Sequence, residues 1–288
     1  MNKPPLYVLL LLALLSAPWK VLGQTILDSL YVVVTIQPNG DGKIVEKRMM
    51  HVGQEGTELF IPVNRLDAQS RLSGFKVFDE HGELYYEYVS DWESLRSRDQ
   101  KTLKCSIVPG DDNSFELCWG MGHDGLRTYW VSYTITNLVR SFSDVDGFKR
   151  ELVAPGGFPL PRYTKVIITK DGEELKKEDV EVGGGGFNGD VHFGNVSVVA
   201  ESKIPMTEND SILVSCKFRK GIFNPQLVSD MTFDEVYTNT PLPHYNNIIG
   251  AVKTLGTLAK AAVLAVIAAV AALFAFVVLM KRKKETNK

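Results

Sequence analysis

From Gln24 to about Gly221 apolar and polar residues alternate with a period of two, and no segment keeps apolar residues at helical spacing for long. LYVVVTIQ (Leu30–Gln37) carries aliphatic residues on both faces. It breaks at PNGDGK, whose Asn and Gly residues supply turn conformations, and IVEKRMMHV follows, so the spacing predicts a hairpin. Further short strands are predicted at ELFIPV, SGFKVFD, LYYEYV and LRTYWVSYTIT, the last placing Tyr129, Val131, Tyr133 and Ile135 on one face. Many short strands with turn chemistry between them predict a mainly β chain of antiparallel β-sandwich-like modules rather than an α/β sheet.

About 200 residues exceed one ordinary sandwich. The Gly- and Pro-rich stretch ELVAPGGFPLPR is the least costly place for a boundary, drawn near Val153. This gives a first β-sandwich module over 24–153 and a second β module over 154–224, the latter holding RYTKVIITKDG, DVHFGNVSVVA and DSILVSCKF. GGGGFNG is expected as a loop between strands, because no lysine and hydroxyl pair follows it as a phosphate cradle would require. Residues 225–257, with Pro225, Pro241 and Pro243, read as a stalk or juxtamembrane linker. At its end Ile248, Val252, Leu255 and Ala259 recur at helical spacing, either as an interfacial extension or as simple continuation of the next helix.

The pattern then changes. Ala261 to Met280 is free of charge, amide and proline, long enough to cross a hydrocarbon core of about 30 Å, so 258–280 is expected as the single transmembrane helix. Lys281, Arg282, Lys283 and Lys284 follow at once and set its orientation, with the basic tail 281–288 in the cytoplasm and the β region outside the cell membrane. At the other end Lys3, the apolar run Leu6–Leu15 and Val21-Leu22-Gly23 predict a cleaved signal peptide over 1–23. Within the span Ala261, Ala265, Ala268, Ala272 and Ala275 lie on one stripe, where small residues let two helices approach in lipid, so a homo-oligomer through this helix is one expectation. An alanine-rich span producing such a stripe by chance is the other.

Charge narrows the partners. The chain carries a formal −2, and without the leader and tail the remainder stands at roughly −8. A mildly acidic exported region disfavours nucleic acid as a partner. Three cysteines in an oxidising space allow one internal pair. A Cys105–Cys118 bridge would close a short loop, whereas strand phase argues against it, since Leu103, Cys105 and Ile107 share one face and Phe115, Leu117 and Trp119 the buried face of the partner strand. Cys216, in phase with Ile212, Val214 and Phe218, is expected as a core thiol.

Catalytic motifs are lacking: there is no nucleophile elbow, zinc-binding helix motif, Walker loop or dinucleotide fingerprint. Neither a catalytic residue, a metal site nor a cofactor is expected. His123 beside Asp124 falls in a glycine-flanked loop, and Asp144 with Asp146 makes only a fragment of a calcium loop, so turns are the simpler reading of both.

Three stretches in order resemble the exported N-terminal region of the YciQ-like predicted bacterial membrane proteins, a family of unknown function. They are LYVVVTIQPNGDGKIVEKRMMH, FELCWGMGHDGLRTYWVSYTITNLV and MTENDSILVSCKFRKGIF, together spanning Ser29 to Phe223. The resemblance implies a signal peptide, an extracytoplasmic β region and membrane attachment, and it brings no catalytic residue. Longer members have further membrane helices and a Gly-rich C-terminal region, whereas one span and a basic tail are expected here.

These readings converge on a membrane-anchored, non-catalytic binding or envelope-interaction module. Its expected partners are the lipid bilayer and an envelope protein. The alternatives are an accessory subunit of a membrane complex and a loop-built enzyme or metal-dependent sensor, for which His123, Asp124 and Asp144 are the candidates.

Overall fold

The computed structural model describes residues 23–78 and 86–238. The strands, in chain order, are β1 (Ile26–Ile36), β2 (Gly42–Val52), β3 (Glu58–Val63), β4 (Leu72–Phe78), β5 (Glu87–Tyr88), β6 (Lys104–Pro109), β7 (Phe115–Gly120) and β8 (Gly125–Ile135). They continue with β9 (Arg140–Ser141), β10 (Asp146–Val153), β11 (Pro161–Lys170), β12 (Val180–Gly185), β13 (Gly189–Phe193), β14 (Val198–Ser202) and β15 (Ile212–Phe218). Two short α-helices, α1 (Arg98–Lys101) and α2 (Phe233–Thr238), and one 3-10 turn at Lys177–Asp179 complete the described set. The chain is mainly β, as the alternation predicts.

Three sheets result: a seven-stranded sheet ordered β13-β14-β11-β1-β2-β8-β4, and two four-stranded sheets ordered β12-β15-β10-β9 and β3-β7-β6-β5. The opening hairpin forms where expected, β1 pairing antiparallel with β2 from Ile36↔Gly42 back to Ile26↔His51. Its turn depends on Gly40, held at φ +87°, where a side chain would also meet the Val139 carbonyl at 2.8 Å. One bulge interrupts the ladder at Asp28, so Leu27 and Leu30, three apart, both point into the core.

The two modules expected over 24–153 and 154–224 are corrected by the pairing. β1 pairs in parallel with β11, from Leu27↔Pro161 to Ile36↔Lys170, so the largest sheet runs straight through the boundary drawn near Val153. β10 likewise pairs with β15 from the other side of it. The physical reason is burial: inward residues of all three sheets, among them Val32, Leu59, Trp119, Phe148, Val166 and Cys216, form one continuous hydrophobic cluster that neither half could close alone.

The linker expectation also changes over its first part. Phe223 and Phe233 are buried. The Phe233 ring lies 5.1 Å from that of Phe142, and Ser141 donates to the Leu227 carbonyl at 2.9 Å, so the segment up to Thr238 is laid on the β body. Aromatic burial without strand or helix periodicity explains why the sequence pattern misses it. The glycine tract differs too: Gly183, Gly184 and Gly185 extend β12 opposite Ser215, Val214 and Leu213, and the turn begins only at Gly186.

Among the described residues no helix is long and apolar enough to cross a membrane. The expected signal peptide apart from Gly23, the transmembrane helix 258–280 with its alanine stripe, and Lys281, Arg282, Lys283 and Lys284 lie outside the described residues.

Candidate functional site

Two features stand out: the outward face of the seven-stranded sheet and a buried charge cluster beneath its inner face. The first follows from the strict period of two. With Val32, Val34, Val166, Ile168, Val198 and Ala200 directed inward, the intervening residues must face outward. Register then aligns Val45, Val33, Ile167 and Val199 as a row across β2, β1, β11 and β14. A second row, two residues along, runs Trp130, Lys47, Tyr31, Lys165, Glu201 across five strands.

The second row is held by side chains rather than by backbone alone. Lys47 Nζ sits 5.1 Å from the Trp130 ring centroid. The Tyr31 and Tyr163 rings pack 5.7 Å apart, the Tyr163 hydroxyl donates to Glu201 Oε1 at 2.5 Å, and Lys165 pairs with Glu201 at 3.3 Å. Burial and the Glu201 carboxylate together push the Tyr163 phenol up to about 12, so it stays a donor. Met49, Trp130 and Leu126 project to solvent on the same face. The surface is therefore an aliphatic row beside a band of aromatic and charged residues, a mixture suited to contact with another macromolecule.

The charge cluster lies where all three sheets meet. Glu46 and Arg48 occupy β2 positions in phase with Ile44 and Met50 and are carried inside by that phase. Arg48 Nε donates to Glu46 Oε2 at 2.9 Å, and the Tyr133 hydroxyl, from β8, donates to Glu46 Oε1 at 3.0 Å. Burial, with the Glu46 charge beside it, drives the Tyr133 phenol well above its ordinary value. The Arg48 guanidinium lies 5.7 Å from the ring of Trp119, a fully buried residue of β7.

A second buried cation, Lys101 of α1, is fully engaged: Nζ donates to the Ser94 carbonyl at 2.6 Å and Thr57 Oγ1 at 2.9 Å, and pairs with Glu58 at 2.9 Å. The Trp92 indole donates to the same carboxylate at 2.6 Å. With all three protons of the ammonium satisfied, this cluster reads as a clamp fastening the 89–101 segment across β3 and β7. Strand phase flags neither cluster as functional, but the Glu46–Arg48 spacing between apolar in-phase neighbours was a readable sign of buried charge.

The three residues of the sensor alternative are not brought together. His123 and Asp124 are exposed in the β7–β8 turn, Asp124 accepting from Gln54 at 3.4 Å, whereas Asp144 lies in the β9–β10 turn and caps the Phe233 amide at 3.0 Å. Among the described residues no group of three or more His, Cys, Asp or Glu side chains could hold a metal ion. Cys105, Cys118 and Cys216 are free, buried thiols. Register sets Cys105 opposite Trp119 and Cys118 opposite Ser106, so the two strand cysteines stand on opposite faces of their sheet, with no bridge between them.

Likenesses to solved structures are shallow. Yeast LTA4 hydrolase aligns over 67% of this chain and 29% of its own, at 9% identity and a TM-score of 0.40. An M1 zinc metallopeptidase from Deinococcus radiodurans aligns over 68% of this chain and 43% of its own, at 10% identity and a TM-score of 0.33. The chain thus spans less than half the length of either, and likeness at this level carries no argument about activity. No curated protein matches the chain. Residues 27–193 match the family described as "Predicted membrane protein (DUF2207) N-terminal domain", a region that runs from β1 to β13 and holds the charge cluster and all of the outward rows except Val199 and Glu201 of β14. On that match, which covers more than half of its length, the chain belongs to the DUF2207 family of predicted membrane proteins.

Proposed function

We propose that this chain is a membrane-anchored binding module that acts by contact rather than catalysis. A cleaved leader and a single C-terminal helix would hold the β body outside the cell membrane, with the basic tail inside. Membership in a family of predicted membrane proteins and the pattern of the two termini support the anchoring.

The observation that carries the binding reading is the outward row Val45, Val33, Ile167, Val199 with its flanking aromatic band. Outward strand positions in a sheet with one solvated face are expected to be polar. Here four registered neighbours are aliphatic, which favours a surface that another envelope protein covers. The test is photo-crosslinking of the full chain in native membranes, with a photoreactive residue at Val33, at Ile167 or, as control, at the exposed Lys177. A discrete adduct from the first two positions and not the third is expected; adducts equal at all three, or at none, refute the reading. Proteolysis of intact cells tests the topology separately, the β body being digested while a C-terminal tag survives.

A further inference from the structure

Arg48 is 6% exposed, yet its hydrogen bonding is half made. Its Nε is bound to Glu46 and its π face lies toward Trp119, while among the described residues neither Nη group meets an acceptor. Nor is either Nη among the buried, sealed and unpartnered atoms of the protein, a set that includes Arg98 Nη2, Trp119 Nε1, Arg140 Nε and Arg150 Nε. Arg48 and its ion-pair partner Glu46 line a cleft of about 20 Å³, walled by Leu30, Ile61, Leu152 and Met206, so the uncommitted edge of Arg48 gives onto that space.

From this geometry we infer that the cleft at the three-sheet junction is a binding site for a carboxylate group, received by the Nη edge of Arg48. A guanidinium edge offers two parallel N–H donors at the spacing of two carboxylate oxygens, and the pair is strongest where water is excluded. Glu46 meets Arg48 through Nε alone and takes the Tyr133 hydroxyl on its other oxygen, so it leaves the Nη edge without a partner. The other acidic groups nearby meet donors other than Arg48. Asp210, at the rim, turns back to accept the Thr207 amide at 2.6 Å, Glu151 accepts from Asn64 at 2.8 Å, and Asp67 pairs with Arg140 at 3.2 Å. The neighbouring Arg150 spends both Nη groups on the Asn64 and Arg65 carbonyls, leaving Arg48 as the receiving cation.

Size limits the ligand. One ordered water needs about 10–15 Å³, so a cleft of about 20 Å³ takes at most a single carboxylate group and never a whole metabolite. Two sources share that chemistry: the C-terminus of a partner chain and an acidic side chain. The inference stands apart from the outward sheet face, which lies on the opposite side of β2.

The test uses the full chain in detergent, with the Trp119 indole N–H resonance, assigned by its loss in Trp119→Phe, as reporter beside Arg48. Formate is titrated against chloride at constant ionic strength, and formamide serves as its uncharged isostere. A saturable shift with formate, none with formamide, and at least tenfold weaker formate binding in Arg48→Lys are expected. N-acetylglycine and N-acetyl-aspartyl amide then separate a terminal from a side-chain carboxylate, binding of either supporting the site. No saturable response to formate, an equal response to formamide, or undiminished binding in Arg48→Lys overturns the inference, the cleft then holding water only. Should Arg48→Lys fail to fold, the formate and formamide arms on the unaltered protein still decide. Failure here would leave the crosslinking result at Val33 untouched.

Discussion

Glu46 and Arg48 stand two residues apart on the inner face of β2 and form an ion pair at 2.9 Å, with side-chain exposures of 2% and 7%. Removing one partner strands the other in the core. Arg48→Met or Glu46→Leu alone is expected to cost about 3–5 kcal/mol, whereas the double variant Glu46→Leu/Arg48→Met costs far less because no charge is left uncompensated. Urea unfolding of the four proteins, read as a double-mutant cycle, checks this. Additive losses would mean that the two side chains contribute independently.

Trp119 offers a second contrast. It is fully buried, packs edge-on to Tyr129 at 5.9 Å, and its Nε1 proton meets no acceptor among the described residues. Trp119→Ala should cost about 3–5 kcal/mol through the cavity it opens. Trp119→Phe should cost about 1–2 kcal/mol, since the smaller ring also removes an unpaired donor and no hydrogen bond is lost with it. Denaturant midpoints of both variants decide, and equal losses would contradict the account.

How much of this was legible beforehand follows the period of two. Tyr129, Val131, Tyr133 and Ile135 share the buried face the pattern assigns them, and Ile212, Val214, Cys216 and Phe218 do the same. Periodicity fixes which side of a strand is wet but says nothing about its neighbour. The parallel pairing of β1 with β11 is therefore invisible in the sequence, and a Pro- and Gly-rich connection reads there as a domain boundary. The outward row was hidden for the same reason: Val33 and Ile167 become neighbours only through that register. Glu46 and Arg48 were hidden by their own polarity, although their phase with Ile44 and Met50 placed them inside.

The three thiols make stability depend on alkaline pH. Burial pushes Cys105 up to about 11, and Cys118 and Cys216 higher still. In the unfolded chain a thiol ionises near 8.5, so between roughly pH 8.5 and 11 the unfolded state holds fewer protons than the native one and unfolding becomes easier as pH rises. The contribution is fully present below that window. By pH 10 the loss should reach about 1–2 kcal/mol per thiol. Urea midpoints at pH 8 and pH 10 should diverge in the parent protein and lie much closer together in a variant with all three cysteines replaced by alanine, the remaining gap coming from the buried tyrosines. Thiol-reactive dyes at pH 8 should label none of the three until urea unfolds the chain.

The glycine tract separates packing from composition. At Gly184 a Cβ would lie 2.4 Å from the Leu213 carbonyl and 2.8 Å from Val191 Cγ2, so alanine must push β12 away from β15 or from β13. At Gly183 the nearest atom is Ser215 Cβ at 3.9 Å, an ordinary contact, and at Gly185 nothing lies within 4 Å. Neither of these two has a positive φ. Gly184→Ala is therefore expected to destabilise by about 1–3 kcal/mol through overpacking. Gly183→Ala and Gly185→Ala are expected to stabilise by about 0.4–1 kcal/mol, because alanine restricts the unfolded chain while fitting the strand. Thermal midpoints of the three variants test the register directly: a tract that behaved as a free loop would accept alanine equally at all three positions, and a uniform response would show that β12 does not pair with β15 as the register Gly184↔Val214 requires.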